Sequence, residues 1–363
     1  MHYTFLGNTG LKVSELCLGA MTFGAQEWGA DAPTSRRIFD RFADAGGNFI
    51  DTANAYAGGE SERLLGQFVR GRRDRFVIAT KYTLGTDSAN ANAFGNGRKN
   101  FMRSLEASLR RLDTDYIDLF YAHMWDGFTP IDETLRAMED AISQGKVVHF
   151  GLSDFPAWLF ARADALAEVA RSTRPAALQI EYNLAQREAE RELLPMAQAL
   201  GVSVLDWSPL AGGVLTGKTL KGDGHGRVAT GAVGHFKKYK TERTEGLVRE
   251  LLPVAQELGC TPAQLSIAWV QSRSPLHIPI IGAKTLEQLE DNLGALNLTL
   301  NRATRDTLDE LSRVELGFPR DFLATGWPVW FDRWPERFDR RIRPDGREAL
   351  RLDDANWERR TRS

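Results

Sequence analysis

Phe49-Ile50-Asp51-Thr52-Ala53-Asn54-Ala55-Tyr56 decides how the chain is read. An apolar run from Asn48 to Ile50 reads as the end of a buried strand. It finishes on a carboxylate, and a tyrosine follows five residues later in a loop of small residues. Gly58-Gly59 then leads into a helical pattern at Glu60-Ser61-Glu62-Arg63-Leu64-Leu65. A strand that ends on an acid, with a tyrosine in the next βα loop, is where a barrel enzyme keeps its chemistry. The same octapeptide also reads as a turn capped by Asp51 with Tyr56 packed on the surface.

Outward from this stretch, short apolar runs alternate with helical patterns. The expected strands are Leu16–Leu18, Asn48–Asp51, Phe76–Lys81, Ile117–His123, His149–Ser153, Ala177–Glu181, Ser203–Trp207 and Ile278–Gly282. Continuous apolar runs are what parallel strands covered on both faces require. Gly7-Asn8-Thr9-Gly10 marks a hairpin over residues 3–13 ahead of them. Thr129-Pro130-Ile131-Asp132 reads as an N-cap, a first-turn proline and a capping-box acid, with Gly145 at the helix end. Leu135, Met138 and Ile142 form one apolar stripe of that helix. Thr261-Pro262 opens a later helix. A ring of eight βα units is the simplest closed solution, so the expected fold is a (β/α)8 barrel over residues 1–316 with an N-terminal hairpin.

Two inserts, residues 83–99 and 211–244, follow expected strands and should lie over the C-terminal mouth. Residues 317–363 form a C-terminal extension with four of the nine tryptophans and eleven arginines. Trp327, Trp330 and Trp334 recur there with Phe322, Phe331 and Phe338, and residues 317–338 are expected to pack on the barrel or on a second subunit.

Composition limits the partners. Net charge is −2, which gives no case for nucleic acid or an anionic membrane. The two cysteines, Cys17 and Cys260, lack metal or redox spacing. Met1-His2-Tyr3-Thr4 carries no secretory signal pattern, and no apolar run reaches membrane-spanning length, so a reducing, cytoplasmic setting is expected.

Four polar residues end or follow consecutive strands: Asp51, Tyr56, Lys81 and His123. Adjacent strand ends of a barrel converge on one mouth. The set suits carbonyl reduction, in which hydride arriving at carbon drives charge onto an oxygen that then needs a proton. A free tyrosine has a pKa of about 10, and a neighbouring ammonium lowers it. Tyr56 is then the general acid, Lys81 its tuner, Asp51 the anchor of Lys81, and His123 a donor to the developing oxyanion.

Here the sequence resembles the aldo-keto reductases. The resemblance rests on Phe49-Ile50-Asp51-Thr52-Ala53-x-x-Tyr56, Gly59-Glu60-Ser61-Glu62, Lys81, Ser104–Leu112, Thr114–Leu119 and His123. It continues through Gly145-Lys146-Val147, Gly151-x-Ser153, Gln179-x-Glu181-Tyr182-Asn183 and Trp207-Ser208-Pro209-Leu210. It closes with Gly213-x-Leu215-Thr216-Gly217-Lys218 and Ile281-Gly282-Ala283-Lys284-x-x-x-Gln288-x-x-x-Asn292. It covers about residues 3–315 and is nearest in pattern to the bacterial and fungal branch that includes aryl-alcohol dehydrogenases.

The resemblance implies an NADP(H) site without a Rossmann fold and hydride transfer without metal. Asp51, Tyr56, Lys81 and His123 would be the catalytic tetrad. Ser153, Asp154 and Gln179 would hold the nicotinamide carboxamide, and Trp207 would stack on the ring. Ser208, Leu210 and Lys218 would line the pyrophosphate. Gly282, Ala283, Lys284, Gln288 and Asn292 would hold the adenosine phosphate end, at a helix opened by Thr285-x-x-Gln288. Three residues depart from the family pattern. Asp154 replaces the commoner Asn, Trp207 stands where Tyr is usual, and Gln288 stands where many members have Arg. Lys284 is then the charge for a 2′-phosphate. Trp28, Trp125 and Phe128 form an aromatic rim that favours aryl or other apolar carbonyls, and they serve equally well as core under the long loops. Some members of the family resemble cofactor-holding regulatory subunits that sense redox state. That is the alternative to a reductase, which would take a small-molecule carbonyl or alcohol and could be a homo-oligomer.

Overall fold

In a computed structural model, residues 1–25, 27–221 and 234–323 are described. The expected hairpin is present as β1 (Tyr3–Phe5) paired antiparallel with β2 (Lys12–Ser14). The chain then runs β3 (Cys17–Gly19), α1 (Ala32–Asp44), β4 (Phe49–Asp51), α2 (Glu60–Val69), β5 (Val77–Tyr82), α3 (Arg98–Leu112) and β6 (Ile117–Ala122). It continues through α4 (Ile131–Ser143), β7 (Val147–Ser153), α5 (Ala157–Ala170), β8 (Ala177–Glu181), α6 (Leu193–Leu200) and β9 (Ser203–Trp207). It ends with α7 (Glu242–Glu257), α8 (Pro262–Gln271), β10 (His277–Gly282), α9 (Leu286–Leu293) and α10 (Arg302–Leu311). Strands β3 to β10 are parallel and close into one barrel, with β10 hydrogen-bonded to both β9 and β3. This is the expected (β/α)8 fold, and each expected strand lies within two residues of its observed bounds.

Alternation along the strands builds two cores. Every residue of β5 and β6 is buried, because the barrel interior covers one face and the helices cover the other. Phe49, Val77, Ala79, Leu119, Tyr121 and Leu205 fill the interior. Their neighbours Ile50, Ile78, Phe120 and Val204 pack outward under the helices. The hairpin closes the N-terminal end, where Leu6 and Val13 join the interior cluster. Gly7 N donates to Ser203 Oγ at 2.7 Å, which ties the hairpin to β9.

Helix α4 differs from the expectation in two ways. Pro130 occupies the N-cap position, and the Thr129 hydroxyl donates instead to Asp126 Oδ2 at 2.6 Å. Asp126 accepts from four groups across this loop, and that competition takes Thr129 away from the helix. The buried stripe is Ile131, Thr134, Ala137, Met138 and Ala141, and Leu135 and Ile142 sit at its edge. Helix α8 opens as expected, with both bonds of the Thr261–Gln264 capping box formed.

The first insert is held to the mouth by Asn96. Its Nδ2 donates to Thr83 Oγ1 at 2.9 Å and to Met124 O at 3.0 Å. In the second insert, Gly234–Tyr239 lies against the end of β8. In the C-terminal extension Phe318 and Phe322 are exposed, with ring centroids 5.9 Å apart. The expectations for Trp327, Trp330, Phe331, Trp334 and Phe338 lie outside the described residues.

At Gly151, in β7, the barrel wall leaves no room for a side chain. A Cβ there would stand 2.3 Å from Tyr121 Cε1 and 2.6 Å from Ala177 O. Both neighbours are barrel residues that cannot withdraw, so Gly151→Ala should cost about 1–3 kcal/mol and lower the melting temperature by several degrees. An unchanged melting curve would contradict this packing.

Candidate active site

The interior alternation that fills the barrel also aims its chemistry. Phe49 faces inward, so Asp51 does too. Val77 and Ala79 carry Lys81 inward, Tyr121 carries His123, and Leu205 carries Trp207. Each of these residues lies at the C-terminal end of its strand, or one residue beyond. Their side chains therefore meet at one mouth, where a cavity of about 900 Å³ opens over Asp51, Tyr56 and His123.

Lys81 is fully buried, and its Nζ pairs with Asp51 Oδ1 and donates to Thr52 O at 2.8 Å. The other Asp51 oxygen accepts from Gln179 Nε2 at 2.9 Å. A buried ammonium is tolerated only with such partners. Burial alone pulls the Lys81 pKa down, but Asp51 and Tyr56 outweigh it and the net direction is up, so Lys81 stays charged.

The Lys81 ammonium lies 5.1 Å from the centre of the Tyr56 ring. The Tyr56 and His123 rings meet edge to face at 5.8 Å. Burial raises the Tyr56 pKa above its ordinary value, Lys81 opposes this, and Asp51 and Asp154 add to the rise. This corrects the expectation of a lowered pKa: an ammonium already paired with Asp51 does not overcome the burial of the phenol. Tyr56 therefore carries its proton throughout the neutral range. Burial, with Lys81 second, pushes the His123 pKa well below its ordinary value, so the imidazole is neutral. Its Nδ1 is buried without a hydrogen-bond partner among the described residues.

Beside this group lie Ser153, Asp154, Gln179 and Trp207, all lining the same cavity. Ser153 Oγ is buried and unpartnered among the described residues. Trp207 Nε1 donates to Asp154 Oδ1 at 3.2 Å, and the Trp207 ring meets His235 at 5.5 Å. Asp154 stands at the floor of the open cleft, where water reaches it although protein walls surround it. Those walls push its pKa up to about 6, with Trp207 opposing the rise. Its backbone has φ 51°, a conformation Asp and Asn tolerate better than most residues.

Ser208, Leu210 and Gly282 line the cavity further out. Lys218 is exposed and lies outside the lining. Asn292 Nδ2 donates to Gly282 O at 3.1 Å, and Ala283 O accepts from Thr22 Oγ1 at 2.7 Å. Thr285 caps α9 as expected. The Gln288 side chain reaches one residue further back than a capping box would, and its Oε1 accepts from Lys284 N at 2.9 Å. Trp125 lines the cavity. Trp28, half-buried in the turn after β3, does not, and Phe128 borders a separate depression.

Several lining residues were not singled out from the sequence. Leu84, Met124 and Phe155 form apolar wall, and their strand-end positions were the available signal. Glu181 follows Gln179 at the inward spacing. Its carboxylate accepts from Tyr239 OH at 2.5 Å, from His235 Nε2 at 3.1 Å and from Lys238 Nζ. Nothing local in the sequence marks that contact, which joins residues more than fifty apart.

The matched family model, Aldo/keto reductase family, spans residues 15–313. The chain is 36% identical over 335 residues to a norsolorinic acid reductase of Aspergillus flavus, covering 89% of this chain and 84% of that one. It is 32% identical over 373 residues to an aryl-alcohol dehydrogenase [NADP(+)] of Phanerodontia chrysosporium, covering 94% and 95%. It is 36% identical over 332 residues to a probable voltage-gated potassium channel subunit beta of Oryza sativa subsp. japonica, covering 88% and 98%. A closed (β/α)8 barrel that this family model matches over nearly its whole length defines an oxidoreductase scaffold. The chain belongs to the aldo/keto reductase family.

The ion pair gives a test that needs no substrate. Lys81→Met leaves Asp51 buried with only Gln179 as partner, at a cost of about 3–5 kcal/mol. Tyr56→Phe removes only a cavity-facing hydroxyl. Thermal melting should place Lys81→Met well below wild type and Tyr56→Phe level with it. Equal melting of all three would contradict the buried pair.

Proposed function

We propose that the protein reduces aldehydes or ketones with NADPH, or oxidises the alcohols, with Tyr56 as general acid. The observation that carries this reading is the convergence of a protonated Tyr56, a charged Lys81 anchored by Asp51, and a neutral His123 on one cavity. Bound NADPH supplies the hydride. Tyr56 gives its proton to the carbonyl oxygen, and the charge on Lys81 stabilises the phenolate left behind. His123, neutral and close to the Tyr56 ring, orients the carbonyl. The cavity fits the cofactor. Ser153 Oγ, buried without a partner among the described residues, is ready for the carboxamide, beside Gln179, whose Nε2 is committed to Asp51. Trp207 would stack on the ring, Ser208 and Leu210 would line the pyrophosphate with Lys218 outside the cavity lining, and Gly282, with Ala283, Lys284, Gln288 and Asn292 beyond the lining, would hold the adenosine end. Trp125 is the wall for an aryl or other apolar substrate, with Trp28 and Phe128 further out. The reading includes a cytoplasmic setting, a barrel domain over 1–316 and an extension over 317–363.

A second reading is a cofactor-holding redox sensor, which the rice relative, named as a probable channel subunit, supports only weakly. Turnover separates the two. Wild type should consume NADPH with a simple aromatic aldehyde, and Tyr56→Phe should lose about 10²–10⁴-fold in kcat while keeping NADPH affinity. Full turnover in Tyr56→Phe would refute the acid. NADPH binding without turnover in wild type would move the assignment to the sensor.

The pKa directions set the pH dependence. Reduction uses protonated Tyr56, so between about pH 7 and 9 its rate should be flat. Alcohol oxidation uses the phenolate, so its rate should climb about tenfold per pH unit over that range. Asp154 raises the Tyr56 pKa, so Asp154→Asn should move the oxidation limb to lower pH. An oxidation profile unmoved by Asp154→Asn would contradict that coupling.

Lys284 is the single basic residue between Gly282 and Asn292. NADPH should bind tighter than NADH by about tenfold, roughly 1.4 kcal/mol. Lys284→Ala should weaken NADPH and leave NADH nearly unchanged, as read by fluorescence quenching. Equal losses would assign Lys284 a structural role.

A further inference from the structure

The rim beside His123 is unusually apolar for a solvent-facing surface. Phe128 is 68% exposed, Trp158 61%, Phe94 52%, Met124 38% and Trp125 37%. Scattered exposed apolar residues need no explanation, but a contiguous patch does. These five belong together. Met124, Trp125 and Phe128 share one loop, and the Phe128 ring reaches to within 3.5 Å of where a Cβ on Gly95 would stand, next to Phe94. Trp158, in the first turn of α5, meets Trp125 edge to face with ring centroids 6.0 Å apart.

Between Phe128 and Trp158 the surface sinks into a second depression of about 230 Å³. Trp125 lines both this depression and the main cavity. A molecule whose carbonyl sits at Tyr56 and which extends across Trp125 would point toward this depression. An apolar site of about 150 Å³ accommodates benzene, so this one has room for a single substituted ring. A protein partner would need about 800 Å² of surface, far more than this concavity provides. Two charged side chains also border the depression, Asp132 and Arg162. Their opposite signs cancel for a charged group but serve a hydroxyl, which can donate to one and accept from the other.

We propose that this depression is a distal substrate subsite that takes the far, hydroxylated ring of an extended aryl aldehyde or ketone. The inference rests on the carbonyl-reductase reading and names its substrate class: two or more joined rings with a phenolic far end. Trp158 and Phe128 face the ring, and Arg162 and Asp132 address its hydroxyl.

The test compares benzaldehyde, biphenyl-4-carbaldehyde and 4′-hydroxybiphenyl-4-carbaldehyde as substrates of the full-length protein with NADPH. Wild type should gain at least about tenfold in kcat/KM from the first to the last, the order expected from burying one further ring. Trp158→Ala should remove most of that gain and leave benzaldehyde within about twofold. Arg162→Gln should lower the hydroxylated biphenyl towards the plain one. Calorimetric binding of the biphenyl alcohols to the NADPH complex, which holds no hydride acceptor, reads the same differences without turnover. No gain with length in wild type, or equal losses on all three aldehydes in Trp158→Ala, would overturn the subsite. A wild type that turns over benzaldehyde but shows no such gain fails this proposal alone. A wild type with no turnover of any aldehyde fails the reductase reading, and the calorimetry still decides the subsite.

Discussion

A single buried charge organises this site. The Lys81 ammonium has no access to solvent, and it is held from the β4 end by Asp51 and the carbonyl of Thr52, with Tyr56 beside it. An unpaired charge at that depth would cost several kcal/mol, so strands β4 and β5 must hold their register to keep the pair. Asp51 is held in turn by Gln179 from β8, on the far side of the barrel. The chain of contacts Lys81, Asp51, Gln179 thus crosses the interior just below the cavity floor. Anything bound above it rests on groups whose positions are already set, and the cost of orienting them falls on folding rather than on the reaction.

The electrostatics follow from the same arrangement. Because Lys81 is committed to Asp51, it does not turn Tyr56 into a phenolate. It keeps a protonated phenol beside a fixed positive charge, the state that the proposed general acid requires. His123, pushed neutral by burial and by Lys81, offers one N–H donor and one acceptor nitrogen but no charge. Asp154 adds a second carboxylate to the cavity floor with a pKa of about 6, and the Trp207 indole holds it in place. The site therefore separates its roles by environment: one carboxylate paired and buried, the other wet and shared with a tryptophan.

Much of this could be read from local pattern. The eight strands were visible because parallel strands covered on both faces must be apolar without interruption, and that signal lies within five or six consecutive residues. Asp51, Lys81 and His123 could be placed at one mouth because each closes or follows such a run. Pairings between distant segments were not legible. Gln179 lies 128 positions from Asp51, and only the closure of the barrel brings them together. The clasp of Gly234–Tyr239 on Glu181 likewise depends on where a long loop lands. The stripe of α4 was read slightly out of phase because Thr134 and Ala141, which are small, pack against the barrel, while the larger Leu135 and Ile142 lie at the edge. The direction of the Tyr56 pKa was misread because burial depth is a property of the closed barrel, and composition does not reveal it.

The proposed reaction is direct hydride transfer at this mouth with proton delivery by the protein. The measurement that tests it most directly uses NADPH deuterated at its transferable position, an aromatic aldehyde and mass spectrometry of the alcohol. The account predicts that deuterium appears on the carbinol carbon in ordinary water. It also predicts that unlabelled NADPH in heavy water puts none there. Loss of the label to solvent, or carbon-bound deuterium acquired from heavy water, would contradict it.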